Sequence, residues 1–152
     1  MAMHRSARRR SGVMTVEAAF VLPVAFFLIF GLVTGAMGIF RFQEVAYLAR
    51  EGARYASTHG AQYRLDTGKS VGTATDWKND IKTNGIMTKR LVLDPDKINV
   101  EISWPPVINQ PDKPDNWPGS RVTVKVSYQW IPEAYLIGPV TLTSTSSMII
   151  TN

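Results

Sequence analysis

The stretch SGVMTVEAAFVLPVAFFLIFGLVTGAMGIF, residues 11–40, decides the architecture of this chain. From Ala18 to Phe40 it contains no charged residue. A helix over this segment would be about 34 Å long, and the hydrocarbon core of a bilayer is about 30 Å thick. Pro23 does not argue against such a helix, because proline is tolerated in membrane spans. The stretch therefore predicts a membrane-spanning helix.

The charge of the chain is concentrated before this span. The net charge is +5, and residues 1–12 contain four arginines and no acidic residue, so the rest of the chain is close to neutral. Basic residues flanking a span on one side stay in the cytoplasm, which places everything after Phe40 outside. Because the basicity belongs to a topology signal, no nucleic-acid partner is expected.

The helix is predicted to continue beyond the membrane through residues 41–57. Apolar residues recur there at steps of three and four, which is typical of a helix with one buried face. We expect this half to pack on a small outer domain, with its charged residues on the other faces. The apolar stripe comprises Phe42, Val45, Ala49, Ala53 and Ala56, and the charged set comprises Arg41, Glu44, Arg50, Glu51 and Arg54.

Three glycines in the span, Gly31, Gly35 and Gly38, lie on one helical face. Such a strip allows another helix to approach closely. The alternative is that glycine is simply frequent in membrane helices.

The outer domain, residues 58–152, is predicted to be an α+β module. After a linker at Thr58–Thr75, one short helix is expected with Trp77, Ile81, Asn84, Thr88 and Leu91 on one face. The segments INVEISW and RVTVKVSYQW alternate as half-buried strands, and PVTLTSTSSMIITN forms a third strand with a bulge or register change near Ser146 and Ser147. The fold class is therefore a long N-terminal transmembrane helix extending into an antiparallel sheet of three or slightly more strands with one short helix.

A proline-rich loop, residues 105–120, separates the first two strands. It contains Trp117, which either forms a contact patch for another protein or folds back to cap the sheet; we favour the second interpretation. The segment IPEAYLIGP before the last strand is open to the same two interpretations.

Nothing in the sequence predicts catalysis. There is no cysteine, the two histidines are far apart, and the aspartates are scattered in loop-like or helix-surface segments. We expect no enzyme activity, no cofactor, no metal and no small-molecule substrate.

Three interpretations of the N-terminus remain open. A secretory signal peptide would be cut near Met37, and an uncleaved anchor would display the outer domain as a binding module. A pilin-like leader would be cut between Gly12 and Val13, with four residues (13–16) between the cut and Glu17. The chain would then divide into a basic leader (1–12), a transmembrane pilin-like helix (13–57) and an extracytoplasmic domain (58–152).

The third interpretation explains Glu17. Cleavage creates an ammonium group at Val13, and in an assembly Glu17 of one subunit can pair with the amine of a neighbour. A buried charge without a partner costs on the order of several kcal/mol. A subunit out of axial register would leave both groups unpaired, so the pair would fix the register.

The span with its VE motif, Pro23 and the sequence REGARYA together resemble the TadE-like family of pseudopilins, minor pilins of tight-adherence (Flp-type) pili. The matching positions are Val16, Glu17, Pro23 and Arg50, Glu51, Gly52, Ala53, Arg54, Tyr55 and Ala56. The resemblance implies processing by a prepilin peptidase and assembly with other pilins and minor pilins through an inner-membrane platform. It further implies a single-pass protein of the cytoplasmic membrane that enters a surface pilus or a membrane scaffold.

Overall fold

The computed structural model describes residues 7–105, 114–132 and 138–152, with side chains from Gly12 onward. It contains α1 (Ala7–Thr58), α2 (Ala61–Asp66) and α3 (Ala74–Asp80), which a π-helical turn (Ile81–Ile86) and a 3-10 turn (Met87–Lys89) follow. A second 3-10 turn (Pro95–Lys97) leads into β1 (Ile98–Ser103), and β2 (Arg121–Trp130) and β3 (Val140–Ile149) complete the sheet. The predicted α+β architecture is confirmed.

The described chain divides into two compact units, residues 1–37 and residues 38–152. The first unit holds the N-terminal part of α1. The second unit holds the last turns of α1, the three strands and all the short helices, so the C-terminal half of α1 belongs to the core of the outer domain.

The sheet is antiparallel in the order β1-β2-β3. In β2 every second side chain is fully buried, which fits the predicted alternation. The register between β2 and β3 runs without interruption from Arg121↔Ile149 to Trp130↔Val140. The predicted bulge near Ser146 and Ser147 is therefore wrong, because serine fits the inner and outer positions of this edge strand without breaking the ladder.

The second half of α1 packs on the sheet as predicted. Of the predicted stripe, four residues are buried and only Phe42 is largely exposed. Leu48, which was not part of that stripe, is also completely buried. The core around them consists of Val45, Leu48, Ala49, Ala53, Ala56, Ile81, Ile86, Leu93, Ile98, Ile102, Val122, Val124, Val126, Tyr128, Trp130 and Ile150.

Two glycines let α1 and the sheet approach each other. A Cβ atom on Gly38 would lie 2.7 Å from Cζ3 of Trp130, and one on Gly52 would lie 2.8 Å from Ile86 and 3.2 Å from Val124. Strand β2 thus runs along α1: Trp130 lies at Gly38, and Val124 lies at Gly52, further along the helix. A larger residue at either glycine would have to displace a buried side chain.

The predicted short helix differs from the structure in its second turn. Trp77 and Ile81 are buried as predicted, but Asn84, Thr88 and Leu91 are exposed. The reason is the π-helical turn, whose wider winding brings Gly85 and Ile86 inward in place of Asn84. Gly85 is required there, since its Cβ would lie 2.9 Å from Cβ of Tyr55.

Part of the predicted linker is helical. Helix α2 follows α1 at Gly60, whose N–H donates to the carbonyl of Asn152 over 2.8 Å. The N–H of Ala61 donates to the carbonyl of Asn116 over 3.1 Å.

Helix α3 is capped by Thr73 and Asp76, and the hydrogen bonds from Thr73 hold the pKa of Asp76 below its usual value. These contacts explain why a segment rich in turn residues folds compactly.

The most unexpected polar contact in the outer domain is made by Glu44. This side chain is buried, although it was predicted on the outer surface of α1. Its Oε1 accepts hydrogen bonds from three consecutive backbone N–H groups, those of Leu91 (2.7 Å), Val92 (3.0 Å) and Leu93 (3.3 Å). The prediction was wrong because a carboxylate can be buried where several donors converge on it.

We expect Glu44→Ala to destabilise the outer domain by about 3 kcal/mol, because it leaves buried N–H groups without an acceptor. Glu44→Gln keeps one acceptor oxygen and should cost only about 1 kcal/mol. Denaturant unfolding in detergent, followed by tryptophan fluorescence, measures both. Glu51→Ala serves as the control, since Glu51 makes only a 3.9 Å surface pair with Arg54. Equal effects of Glu44→Ala and Glu51→Ala would contradict the assignment.

We expect Gly52→Ala to destabilise the outer domain by about 1 kcal/mol, because overpacking against Ile86 outweighs the gain in helix propensity. The double variant Gly52→Ala/Ile86→Val should recover part of this loss, since valine lacks the Cδ1 atom that the new methyl group meets. Gly35→Ala is the matched control, because nothing lies within 4 Å of its Cβ position. Additive free energies in the double variant would contradict a direct contact.

Candidate assembly helix

The predicted processing and register residues lie on one face of α1. Gly12, Val13 and Glu17 are all exposed. In an α-helix residues four apart are neighbours, separated by about 6 Å along the axis, so Val13 and Glu17 lie one above the other. Within the part of the chain that the structure describes, no hydrogen-bond or ion-pair partner of Glu17 is present. The carboxylate is thus available to a group from outside the described residues.

An exposed apolar surface surrounds α1 on both sides of Glu17. Exposed large hydrophobic side chains occur on all its faces, from Val13 to Phe40. The most hydrophobic window of α1 has a mean hydropathy of 2.4 and no buried residue. A helix segment that is apolar all round and that has no residue buried by the described part of the chain is suited to a nonpolar solvent. This one long apolar helix suggests membrane anchoring.

Pro23 lies inside α1 without ending it. Proline lacks the N–H that would bond to the carbonyl four residues earlier, so one hydrogen bond of the helix is missing at this point. In water this costs stability, whereas the surroundings of a membrane helix can compensate for it.

The glycine strip has two kinds of surroundings. Nothing lies within 4 Å of the Cβ positions of Gly31 and Gly35, so both present open backbone. Gly38 instead lies against Trp130 of its own chain. Packing of a neighbouring helix on the strip stays a prediction for Gly31 and Gly35, while Gly38 has an internal role that the sequence did not indicate.

The sequence REGARYA, residues 50–56, is explained by packing. Its small residues Gly52, Ala53 and Ala56 face the core, where Gly52 receives Ile86 and Val124. Arg50 and Arg54 are exposed, and Glu51 is partly exposed and lies 3.9 Å from Arg54. In this motif, small residues that allow close packing therefore alternate with charged residues that face water.

Tyr55, which also belongs to this motif, lies in the wall of a cleft of about 210 Å³. Its ring covers Gly85 and stacks on His59 at 3.9 Å, and its hydroxyl donates to Oδ1 of Asp80 over 3.4 Å. Burial raises the pKa of Tyr55, and the negative charge of Asp80 raises this pKa further. The cleft is lined by Tyr55, His59, Tyr63, Arg64, Lys69, Asp80 and Asn84.

No catalytic arrangement is evident in this cleft. The Tyr55 hydroxyl keeps its proton and donates it in a hydrogen bond to Asp80, and this contact is structural. Among the residues that the structure describes, no group of three histidine, aspartate or glutamate side chains could hold a metal ion.

Trp117 lies in a turn and is half-buried. Its N–H donates to the carbonyl of Pro114, and its own carbonyl accepts from Ser120, each over 3.0 Å. Residues 106–113 of the proline-rich loop and residues 133–137 of IPEAYLIGP lie outside the described residues. The role of Trp117 as a contact residue or as a cap on the sheet stays a prediction.

Sequence reasoning missed Glu44 as a structural residue. One signal was present: Glu44, Leu48 and Gly52 are spaced by four and therefore form one row along the helix. Two members of that row are nonpolar and become buried. Glu44, at the start of this row, is buried with them.

Comparison with known proteins supports the assignment of the helix. Residues 12–54 match the model of the family described as TadE-like protein, so the match lies entirely within α1. No curated protein and no solved structure matches the chain. The TadE-like family is a structural, pilus-related family and not an enzyme family, and it suggests a minor pilin-like protein associated with a Tad pilus and with the membrane. Residues 12–54, which include the VE motif and most of REGARYA, are thus similar to the TadE-like family, and the resemblance predicted from the sequence is confirmed over this segment.

Proposed function

We propose that this protein is a minor pilin-like structural subunit of a tight-adherence type IV pilus or secretion system. A prepilin peptidase removes the basic leader after Gly12, and the helix that starts at Val13 anchors the subunit in the cytoplasmic membrane. The N-terminus faces the cytoplasm and the α+β domain faces outward. Assembly with other pilins then proceeds through the inner-membrane platform.

The observation that carries this proposal is the position of Glu17. It is a carboxylate without a described partner at the start of a helix that is apolar all round. Cleavage after Gly12 would place an ammonium group one helical turn away, on the same face. In the single subunit this amine can approach Glu17 of its own chain, and in an assembly the same two groups can pair between neighbours.

The structure of the helix supports a division of labour along its length. Its first half offers open backbone at Gly31 and Gly35 for a neighbouring helix, whereas one face of its second half packs on the outer domain. We propose that subunits contact one another in the assembly through the first half. The outer domain then determines which neighbours are accepted.

The competing function is an uncleaved membrane anchor that displays the outer domain as a binding module. It is favoured by the cleft at Tyr55, whose aromatic and charged lining has no role in helix assembly. It leaves Glu17 without a function.

The N-terminus of the mature protein distinguishes these possibilities. We expect mass spectrometry of the membrane-bound protein to show an N-terminus at Val13. An intact leader would favour the binding module, and an N-terminus near Met37 would indicate a signal peptide. Gly12→Leu should retain the leader, because a side chain at this position obstructs entry of the backbone into the protease, whereas Gly35→Leu should be processed normally. Efficient cleavage of Gly12→Leu would contradict the proposed site.

The assembly role of Glu17 is tested by Glu17→Val. We expect insertion and leader removal to be unaffected, while the amount of subunit recovered in the assembled fraction falls about tenfold, since an unpaired buried amine costs at least about 1.4 kcal/mol. Immunoblotting of membrane and sheared fractions measures this ratio. Glu101→Gln, which removes an exposed carboxylate of the outer domain, is the control for net charge. Normal assembly of Glu17→Val would disprove the register role.

A further inference from the structure

We propose that the loop Lys89–Leu93, hereafter the interfacial loop, inserts the side chains of Leu91 and Val92 into the headgroup region of the membrane. The surface recognised is that of a bilayer containing anionic lipids. This inference rests on the membrane anchoring of α1 in the proposed function and goes beyond it, since the outer domain then has a second attachment to the membrane.

The interfacial loop exposes its apolar side chains. Leu91 is 76% exposed and Val92 is 57% exposed, while the next residue, Leu93, is buried in the core. Two adjacent large aliphatic residues at the tip of a loop are unfavourable in water. A nonpolar surface that covers them removes this unfavourable exposure.

The loop is held in place by its backbone. The N–H groups of Leu91, Val92 and Leu93 all donate to the buried carboxylate of Glu44, and the guanidinium of Arg90 donates to the carbonyl of Leu93 over 3.4 Å. These hydrogen bonds hold the backbone of the loop in the conformation that exposes Leu91 and Val92. Their exposure is therefore built into the fold.

Glu44 also fixes the level of the loop along α1. It lies four residues beyond Phe40, the last residue of the uncharged run, which corresponds to about 6 Å along the helix axis. Side chains on a helix point back toward its N-terminus, so the carboxylate lies closer still to the level of Phe40. Because Gly38–Phe40 belong to the same compact unit as the loop, this level is defined within the outer domain itself.

The headgroup layer begins at this level. A bilayer is about 40–45 Å thick with its headgroups and about 30 Å without them, which leaves a layer of about 6 Å on each side. Residues at the height of Phe40 to Glu44 fall within this layer if the uncharged run fills the hydrocarbon core. Apolar side chains at this boundary insert into it, and they do so most strongly next to basic residues.

The charges beside the tip agree with a lipid surface. Lys89 and Arg90 directly precede Leu91 and are both exposed. A pair of cations next to a pair of aliphatic side chains matches the arrangement of anionic headgroups above acyl chains. A protein partner would not require the loop to lie at the end of the span.

The absence of cysteine from the chain makes a direct test possible. The variants Val92→Cys and Ile149→Cys of the full chain carry one environment-sensitive fluorophore each and are reconstituted into vesicles of phosphatidylcholine and phosphatidylglycerol in equal amounts. Ile149 is the matched control, because it is β-branched, 57% exposed like Val92, and lies beside Ser57 near the other end of α1, where its carbonyl accepts from the Ser57 hydroxyl over 2.9 Å. Phe20→Cys reports whether the helix itself is inserted.

We expect lipids with a quencher on the acyl chain to quench the label at position 92 several-fold more strongly than the label at position 149. Lys89→Gln should reduce the quenching at position 92 in these vesicles, and the reduction should be smaller in pure phosphatidylcholine; Arg90 is kept, because its guanidinium contacts the loop backbone. Strong quenching at position 20 together with equally weak quenching at positions 92 and 149 would overturn the interfacial loop while leaving the anchored helix intact. Weak quenching at position 20 would refute the membrane anchor and the interfacial loop together.

Discussion

The close contact between α1 and the central strand β2 is the constraint on which the outer domain depends. Gly52 lies so close to Ile86 and Val124 that no side chain fits between them. Gly38 lies equally close to the ring of Trp130. At these two points the helix contributes no side chain, while Val45 and Leu48 of the same helix fill the core elsewhere. The sequence REGARYA is therefore best understood as the helix side of this contact, with its charges turned to water.

The two parts of α1 have different surroundings, and one acid in each part, Glu44 and Glu17, shows the difference. Glu44 is buried in the outer domain, where its Oε1 accepts from three backbone N–H groups of its own chain, while its Oε2 has no hydrogen-bond partner among the described residues. Glu17 stands at the start of an apolar surface and has no such donors among the described residues. The first acid is therefore held by donors of its own domain, whereas the partner of the second does not lie among the described residues.

Much of this fold could be predicted from the sequence because strong periodic patterns determine it. The uncharged run at residues 18–40 and the alternation in RVTVKVSYQW correspond directly to the exposed apolar part of α1 and to the buried face of β2. The errors arose where local patterns yield to tertiary contacts. Asn84 occupies a regular helical position, but the wider turn demanded by Ile86 and Gly85 excludes it from the interior, and Glu44 is charged yet buried because its partners are backbone groups 47 to 49 residues away. The spacing of Gly12, Val13 and Glu17 is local, so the sequence could suggest roles for them in processing and assembly, and these roles stay predictions. Trp130 as the neighbour of Gly38 could not be predicted, since nothing in the sequence relates the two positions.

The π-helical turn at Ile81–Ile86 bears on how chains of this kind can vary in length. Buried positions Ile81 and Ile86 are five residues apart, one more than in a regular α-helix, so the turn amounts to an α-helix that has absorbed one additional residue. A homologue lacking that residue could wind the segment regularly and still direct both isoleucine positions inward. Single-codon gains and losses here should therefore be found among homologues without any displacement of the strands.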